Sequence, residues 1–192
     1  MFTHRSLMKV TPRTLTHSLL LAVIIVGGFL RVYQLGAKSL WIDEAFSVWM
    51  GRQPVPEMLS WLVRIDQHPP LYYLLLRLWM YIGDALEQMA TPRSGASWVR
   101  ALSALCSMLN IPALYALGRR PAGRKAGLLA ALILALSPFH VYLAQEARMY
   151  SLLCLNVSLA VLALLYILTP PPLNPPRKPG GRSDPLPRAA CL

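Results

Sequence analysis

The first long apolar run of the chain reads Leu19-Leu-Leu-Ala-Val-Ile-Ile-Val-Gly-Gly-Phe-Leu30. It belongs to an apolar segment over residues 15–35, which is close to the roughly 20 residues that a helix needs to cross a bilayer. Similar segments follow at 98–117, 126–143 and 151–168. Because long apolar runs are typical of transmembrane helices, the sequence predicts an all-α integral membrane protein with about four spans.

The composition of the chain is that of a membrane protein rather than a soluble domain. Of the 192 residues, 55% are hydrophobic and 14% are charged, and the mean hydropathy is +0.44. A soluble domain carries about a quarter charged residues. The net charge of +11 comes from Lys and Arg in short segments beside the apolar runs. This placement indicates membrane topology, and we expect no nucleic-acid partner.

The basic segments also predict how the chain crosses the cell membrane. Residues 1–14 are basic, and the loop 118–125 holds four Lys or Arg in eight residues. Lys and Arg accumulate in cytoplasmic loops, so we expect both segments, including the N-terminus, in the cytoplasm. The long loop 36–97 and the short loop 144–150 then face outward.

One apolar segment inside the long loop, residues 71–86, carries Arg77 near its middle. If this segment crossed the membrane, every later loop would change sides and the basic loop 118–125 would face outward. We therefore expect a helix lying in the membrane interface, with Arg77 extended toward water.

The last segment, 169–192, differs in composition from the rest of the chain. Eight of the 17 prolines lie in it. A segment of this composition is expected to be a disordered tail. The abrupt change leaves open whether it is a genuine cytoplasmic tail or a truncated or frameshifted ending.

Two neighbouring carboxylates, Asp43 and Glu44, follow the first span in the motif Leu-Trp-Ile-Asp-Glu-Ala-Phe-Ser. Neighbouring residues of a helix or strand point in different directions, so one carboxylate can face a site while the other supports it. A partly desolvated carboxylate at the lipid boundary is a usable general base. The residues fit equally well with Asp43 as the cap of an interfacial helix.

A second motif, Ile-Asp-Gln-His-Pro-Pro, places Asp66 and His68 just before residues 71–86. A carboxylate and an imidazole are candidate ligands for a divalent cation or a sugar hydroxyl. Two ligands are too few to predict a metal centre, so no cofactor is assigned. Asp66 fits at least as well as a cap for the helix that follows the prolines.

Three further charged residues, Arg148, Glu146 and Arg100, lie at the outer ends of the spans and are candidates for binding a phosphate-linked donor. A guanidinium suits phosphate because it donates two parallel hydrogen bonds. The alternative for Arg148 is a surface side chain paired with Glu146. Arg100 has the same two interpretations.

Taken in order, three motifs resemble the N-terminal part of a bacterial membrane glycosyltransferase of the GT-C architecture. They read Leu-Trp-Ile-Asp-Glu-Ala-Phe-Ser, Asp-Gln-His-Pro-Pro-Leu-Tyr-Tyr and Ser-Pro-Phe-His-Val-Tyr-Leu-Ala-Gln-Glu-Ala-Arg-Met-Tyr. The family includes the protein O-mannosyltransferases and the aminoarabinose transferase of lipid A. The resemblance implies a polyprenyl-phosphate-linked sugar as donor. It also implies transfer to an acceptor protein, lipid or glycan on the external face of the bilayer.

The resemblance also implies roles for single residues. It assigns the catalytic base to Asp43, with Glu44 as the alternate, and it implies that Arg148 contacts the lipid phosphate. Asp66 and His68 occupy the motif that the family places near the donor site.

Family members have many more spans than this chain, so we expect an incomplete GT-C architecture. Two other functions stay open: a noncatalytic membrane protein that binds polyprenyl lipid or a partner, and a small transporter subunit. A transporter predicts ionisable residues in the middle of its spans, and these spans have almost none.

Overall fold

The computed structural model describes residues 12–66 and 68–168, and in this part of the chain every regular element is a helix. The expected tail over 169–192 and most of the basic segment 1–14 lie outside the described residues. The elements in order are α1 (Pro12–Val32), α2 (Ile42–Arg52), α3 (Val55–Trp61) with a π-helical turn (Leu62–Asp66) after it, α4 (Leu71–Ala85), α5 (Pro92–Leu136), α6 (Pro138–Ala144) and α7 (Tyr150–Leu168).

Three of these helices are long and apolar enough to cross a membrane, namely Arg13–Val32 within α1, the whole of α5, and α7. Large apolar side chains such as Ile25 and Phe29 are about 60% exposed on the surface of α1. Such a surface is stable against lipid and costly in water. The prediction of an all-α membrane protein is confirmed.

Helix α5 is a bent helix of 45 residues rather than a straight rod. Gly123 interrupts its helical backbone with a φ of 84° and a ψ of 179°, a conformation that only glycine adopts without strain. The arms on either side, 92–122 and 124–136, fold back on each other. A Cβ built on Gly118 would lie 3.1 Å from the Cα of Gly127, so the two arms pack backbone to backbone.

The second arm of α5 ends at Leu136, inside the apolar segment predicted over 126–143. Ser137 caps the next helix, α6, by accepting a hydrogen bond from the amide of His140. Pro138 stands in the first turn of α6, where a residue without an amide hydrogen is tolerated. The predicted segment is therefore built from two successive helices.

Helix α4 packs one face against α2 and α5. The buried side chains on this face are Tyr72, Tyr73, Leu76 and Met80. Arg77, expected to extend toward water, instead donates hydrogen bonds to the carbonyls of Gly51 and Gln53 at the end of α2. Carbonyls at the end of a helix lack intrahelical donors, so Arg77 stabilises that end.

Trp79 of α4 and Trp98 of α5 form a symmetric contact, which we name the tryptophan pair. Their rings are stacked, with centroids 4.7 Å apart and an interplanar angle of 12°. Each indole N–H donates to the backbone carbonyl of the other tryptophan, at 2.7 and 2.8 Å. Gly83 leaves room for the ring of Trp98, which would lie 2.3 Å from a Cβ there. The tryptophan pair fastens α4 to α5.

Candidate active site

Asp43 lies in the first turn of α2, where the chain re-enters a helix after α1 and its following loop. Its side chain is 45% exposed, and its carboxylate oxygen Oδ2 lies 4.0 Å from Nη2 of Arg148. Nη1 of the same arginine donates to the backbone carbonyl of Asp43 at 3.4 Å. The structure therefore brings these two predicted site residues together, and it leaves the carboxylate open to a group outside the protein.

Glu44, the neighbour of Asp43, points the other way and is fully buried. Its two carboxylate oxygens accept hydrogen bonds from Arg100, at 2.8 Å from Nε and 2.6 Å from Nη2. The amide of Ala147 donates to it at 2.9 Å. Two donors from one guanidinium are the strongest geometry for such a pair. Of the two neighbouring carboxylates, one is therefore exposed and the other is held inside the protein.

Arg100 uses all five of its N–H donors within the protein. Besides the two on Glu44, its guanidinium donates to the carbonyls of Leu35, Lys38 and Ser39, at 2.9, 2.8 and 3.1 Å. These carbonyls belong to the loop between α1 and α2. Arg100 therefore holds that loop against α5, with no donor left over for a phosphate.

The cap of α2 is made by Glu44 and not by Asp43. The N-cap residue is Trp41, and its backbone amide donates to Glu44 Oε2 at 3.3 Å. A carboxylate in the first turn also complements the positive end of the helix. The alternative in which Asp43 serves as the cap is therefore not observed.

Arg148 lies in the loop between α6 and α7 and is 7% exposed. Its Nε is buried and has no hydrogen-bond partner among the described residues. Burial lowers the pKa of Arg148, but the hydrogen bond with Tyr150 and the nearby Asp43 outweigh this effect, so the net shift is upward. The positive charge of the guanidinium attracts an anionic oxygen, whereas Nε itself is enclosed by the protein and does not face solvent.

Glu146 is only two residues from Arg148, yet it lines a different space. It lines a cavity of about 550 Å³ together with Glu44 and Arg100. Neither Asp43 nor Arg148 lines this cavity. The hydroxyl of Tyr142 hydrogen-bonds to Glu146. Glu146 and Arg148 are not paired with each other, and the alternative of a local ion pair is therefore wrong.

The predicted metal pair is only partly described. Asp66 ends the π-helical turn and its side chain lies outside the described part, while His68 is partly buried just before α4. Within the described ranges, no three His, Cys, Asp or Glu side chains form a group that could hold a metal ion. Metal or sugar binding by Asp66 and His68 stays a prediction.

The family model for dolichyl-phosphate-mannose-protein mannosyltransferases matches residues 67–171, which is more than half of the chain. The chain belongs to this mannosyltransferase family. The matched range contains Arg100, Glu146 and Arg148, whereas Asp43 and Glu44 precede it. No curated protein and no solved structure matches the chain.

This member of the mannosyltransferase family also has a polar stripe along α5, formed by Arg100, Ser103, Ser107 and Asn110. Spacings of three and four residues place all of them on one face of the helix. Ser103 donates to the carbonyl of Arg148 at 3.1 Å and lies 3.3 Å from the hydroxyl of Tyr72. Because the Ser103 hydroxyl donates its proton to that carbonyl, the Tyr72 hydroxyl is the donor in its hydrogen bond with Ser103. Burial raises the pKa of the Tyr72 hydroxyl.

The stripe was not predicted, although its spacing is readable in an otherwise apolar run of the sequence. The stripe reaches the loop that carries Arg148 through Ser103, and it reaches the pair with Glu44 through Arg100. It therefore positions both halves of the candidate site.

Arg31, near the end of α1, was also missed and is fully buried. It donates to Ser107 at 2.6 Å, to Nδ1 of His140 at 3.1 Å and to the carbonyl of Ala135 at 3.1 Å. Since arginine is always a donor, Nδ1 of His140 accepts the hydrogen bond from Arg31. The network joins α1, α5 and α6 just below the loop with Arg148.

Proposed function

We propose that the protein is a membrane glycosyltransferase that takes a sugar from a polyprenyl-phosphate donor and transfers it to an acceptor hydroxyl on the external face of the cell membrane. Membership of the mannosyltransferase family supports this reaction class. A mannose unit on a polyprenyl phosphate is the donor to test first, since the family description names dolichyl-phosphate mannose.

The observation that carries the proposal is the meeting of Asp43 and Arg148. One is an exposed carboxylate, and the other is a charged guanidinium that is largely buried beside it. They lie beyond the end of the apolar helix α1. We therefore expect them at the depth where a lipid-linked phosphate remains when its tail is in the bilayer. A base and a phosphate-binding cation are the two groups that this reaction needs.

In the proposed step, Asp43 accepts the proton of the acceptor hydroxyl. The acceptor oxygen forms a bond with the anomeric carbon, and the bond from that carbon to the phosphate oxygen breaks. The electron pair leaves with the lipid phosphate, whose negative charge is stabilised by Arg148. Glu44 and Arg100 act as positioning residues, because their charges are satisfied by each other and by backbone groups.

A transfer assay tests the proposal. Membranes from cells that make the chain are given radiolabelled polyprenyl-phosphate-mannose, and the label is counted in the protein, lipid and glycan fractions. We expect Asp43→Asn to lower transfer about 100- to 10,000-fold, as for loss of a general base. Glu57→Gln, at an exposed carboxylate of α3, is the matched control. Equal transfer by wild type and Asp43→Asn would contradict the role of the base.

Donor that binds to the wild-type chain without any transfer would favour the noncatalytic alternative. Membranes without the chain set the background for both measurements.

A further inference from the structure

The cavity beside Glu146, which we name the Glu146 cavity, is not lined by Asp43 or Arg148, although Glu44 and Arg100 form part of its wall. It has a volume of about 550 Å³ and opens between the loop after α1 and the end of α6. The side chains that matter for its chemistry are Tyr33, Lys38, Trp41, Tyr142 and Glu146. Its size is within the usual range for small-molecule sites.

The carboxylate of Glu146 has no cationic partner among the described residues. Glu146 is 8% exposed, and no Lys or Arg nitrogen in the described ranges comes within 4.0 Å of it. Arg100 borders the same cavity, but its donors are all used on Glu44 and backbone carbonyls. A buried carboxylate without a cation is costly, so a cationic ligand would complement it.

The cavity also contains a positive charge at its exposed rim. Lys38 is exposed and lines the cavity without an ion pair to Glu146. A ligand with one positive and one negative group would therefore have a partner for each, Glu146 for the positive group and Lys38 for the negative group. Tyr33, Trp41 and Tyr142 add aromatic faces, which attract ammonium groups.

The position of the cavity relative to the apolar span of α1 indicates where such a ligand comes from. Leu30, from the last turns of the α1 span, lines it together with Val141 of α6. Tyr33 and Gln34 of the following loop line its other side. The cavity thus lies where the apolar span ends, which is the level of the phospholipid headgroups.

We propose that the Glu146 cavity binds the headgroup of a zwitterionic phospholipid with a primary ammonium. The ammonium donates hydrogen bonds to Glu146 and is bordered by the aromatic rings, while the phosphate faces Lys38. A primary ammonium has N–H donors for the carboxylate, which a trimethylammonium lacks. This inference does not depend on the proposed transferase function.

Lipid binding to the detergent-purified 192-residue chain tests the proposal by native mass spectrometry. The chain is incubated separately with phosphatidylethanolamine, phosphatidylcholine and phosphatidylglycerol of the same acyl chains. We expect phosphatidylethanolamine to bind most tightly. Glu146→Gln is expected to weaken it about 10- to 100-fold, as for loss of a charge-assisted hydrogen bond. Lys38→Gln, at an exposed side chain, is expected to weaken it several-fold, and Glu57→Gln is expected to leave it unchanged.

Three results would overturn the proposal. One is equal binding of all three lipids to the wild type. Another is unchanged phosphatidylethanolamine binding in both Glu146→Gln and Lys38→Gln. The third is binding of water-soluble glycerophosphoethanolamine as tight as that of the lipid, since the ligand would then be a free zwitterion rather than a membrane lipid.

Discussion

Glu44 and Arg100 stand 56 positions apart in the sequence and form a buried ion pair through both carboxylate oxygens. The pair joins the start of α2 to α5 and leaves Asp43, the residue before Glu44, directed toward Arg148. Two adjacent carboxylates therefore have different partners: one is tied to the protein interior, and the other is exposed at the surface.

Removing the charge of Glu44 is expected to unfold the loop between α1 and α2. Glu44→Gln leaves the guanidinium of Arg100 buried without a counter-ion, which typically costs about 3–5 kcal/mol. The free energy of unfolding can be measured in detergent from the loss of helical circular dichroism. Glu57→Gln is the control at an exposed carboxylate. Identical unfolding of Glu44→Gln and wild type would show that the pair contributes little.

Replacing Arg148 by lysine tests phosphate binding against a purely structural role. Arg148→Lys keeps the positive charge but loses the planar arrangement of donors, so we expect a donor KM about 10- to 100-fold higher. Transfer kinetics with polyprenyl-phosphate-mannose give the measurement. Arg52→Lys, at an exposed arginine whose partner is Asp84, is the control. An unchanged donor KM with a lower yield of protein would assign Arg148 to folding alone.

The tryptophan pair is expected to stabilise the docking of α4 on α5. Trp79→Phe and Trp98→Phe each remove one indole N–H bond, worth about 1 kcal/mol, and both disturb the same stacking contact. The double variant should therefore lose less than the sum of the two single losses. Unfolding in detergent measures all three variants, and Trp61→Phe on α3 is the control. Strict additivity would mean that the two rings act independently.

A side chain at Gly123 is expected to strain the bend of α5. Gly123→Ala should cost about 1–3 kcal/mol, because its φ of 84° is unfavourable for an L-residue although no atom lies within 4 Å of the new Cβ. Gly95→Ala is the control within the same helix. A Cβ there meets only Met89, at ordinary contact distances, so its effect should be neutral or stabilising. A neutral Gly123→Ala would show that the bend relaxes easily.

Reporter fusions test the predicted orientation. We expect a fusion at Lys125 to report the cytoplasm and a fusion at Glu87 to report the external side, since four Lys or Arg lie in 118–125. A cytoplasmic signal from Glu87 would mean that α4 crosses the membrane and that the predicted sides of all later loops are wrong.

The helical class of the fold was predictable because lipid exposure demands long apolar runs. The break between α5 and α6 was readable from Ser137-Pro138, but the apolar composition of 126–143 obscured it. The different hydrogen-bond partners of Arg100 and Arg148 were not predictable from the sequence. Both lie near the ends of spans, and only the packed structure determines that one uses every donor on the protein while the other keeps Nε unused. The partner of Glu44 could likewise not be identified without the contact between α2 and α5.

The bend at Gly123 has a consequence for how the protein is made. The close approach of Gly118 and Gly127 lets the two arms of α5 pair before α6 and α7 have been synthesised. The basic residues at the bend are costly to move through the lipid, so we expect this end to stay on the side from which it entered. We expect the arms to enter the bilayer together as one hairpin. A defect at the bend should then lower the fraction of chain that is integrated into the membrane, even where the stability of the integrated protein is unchanged.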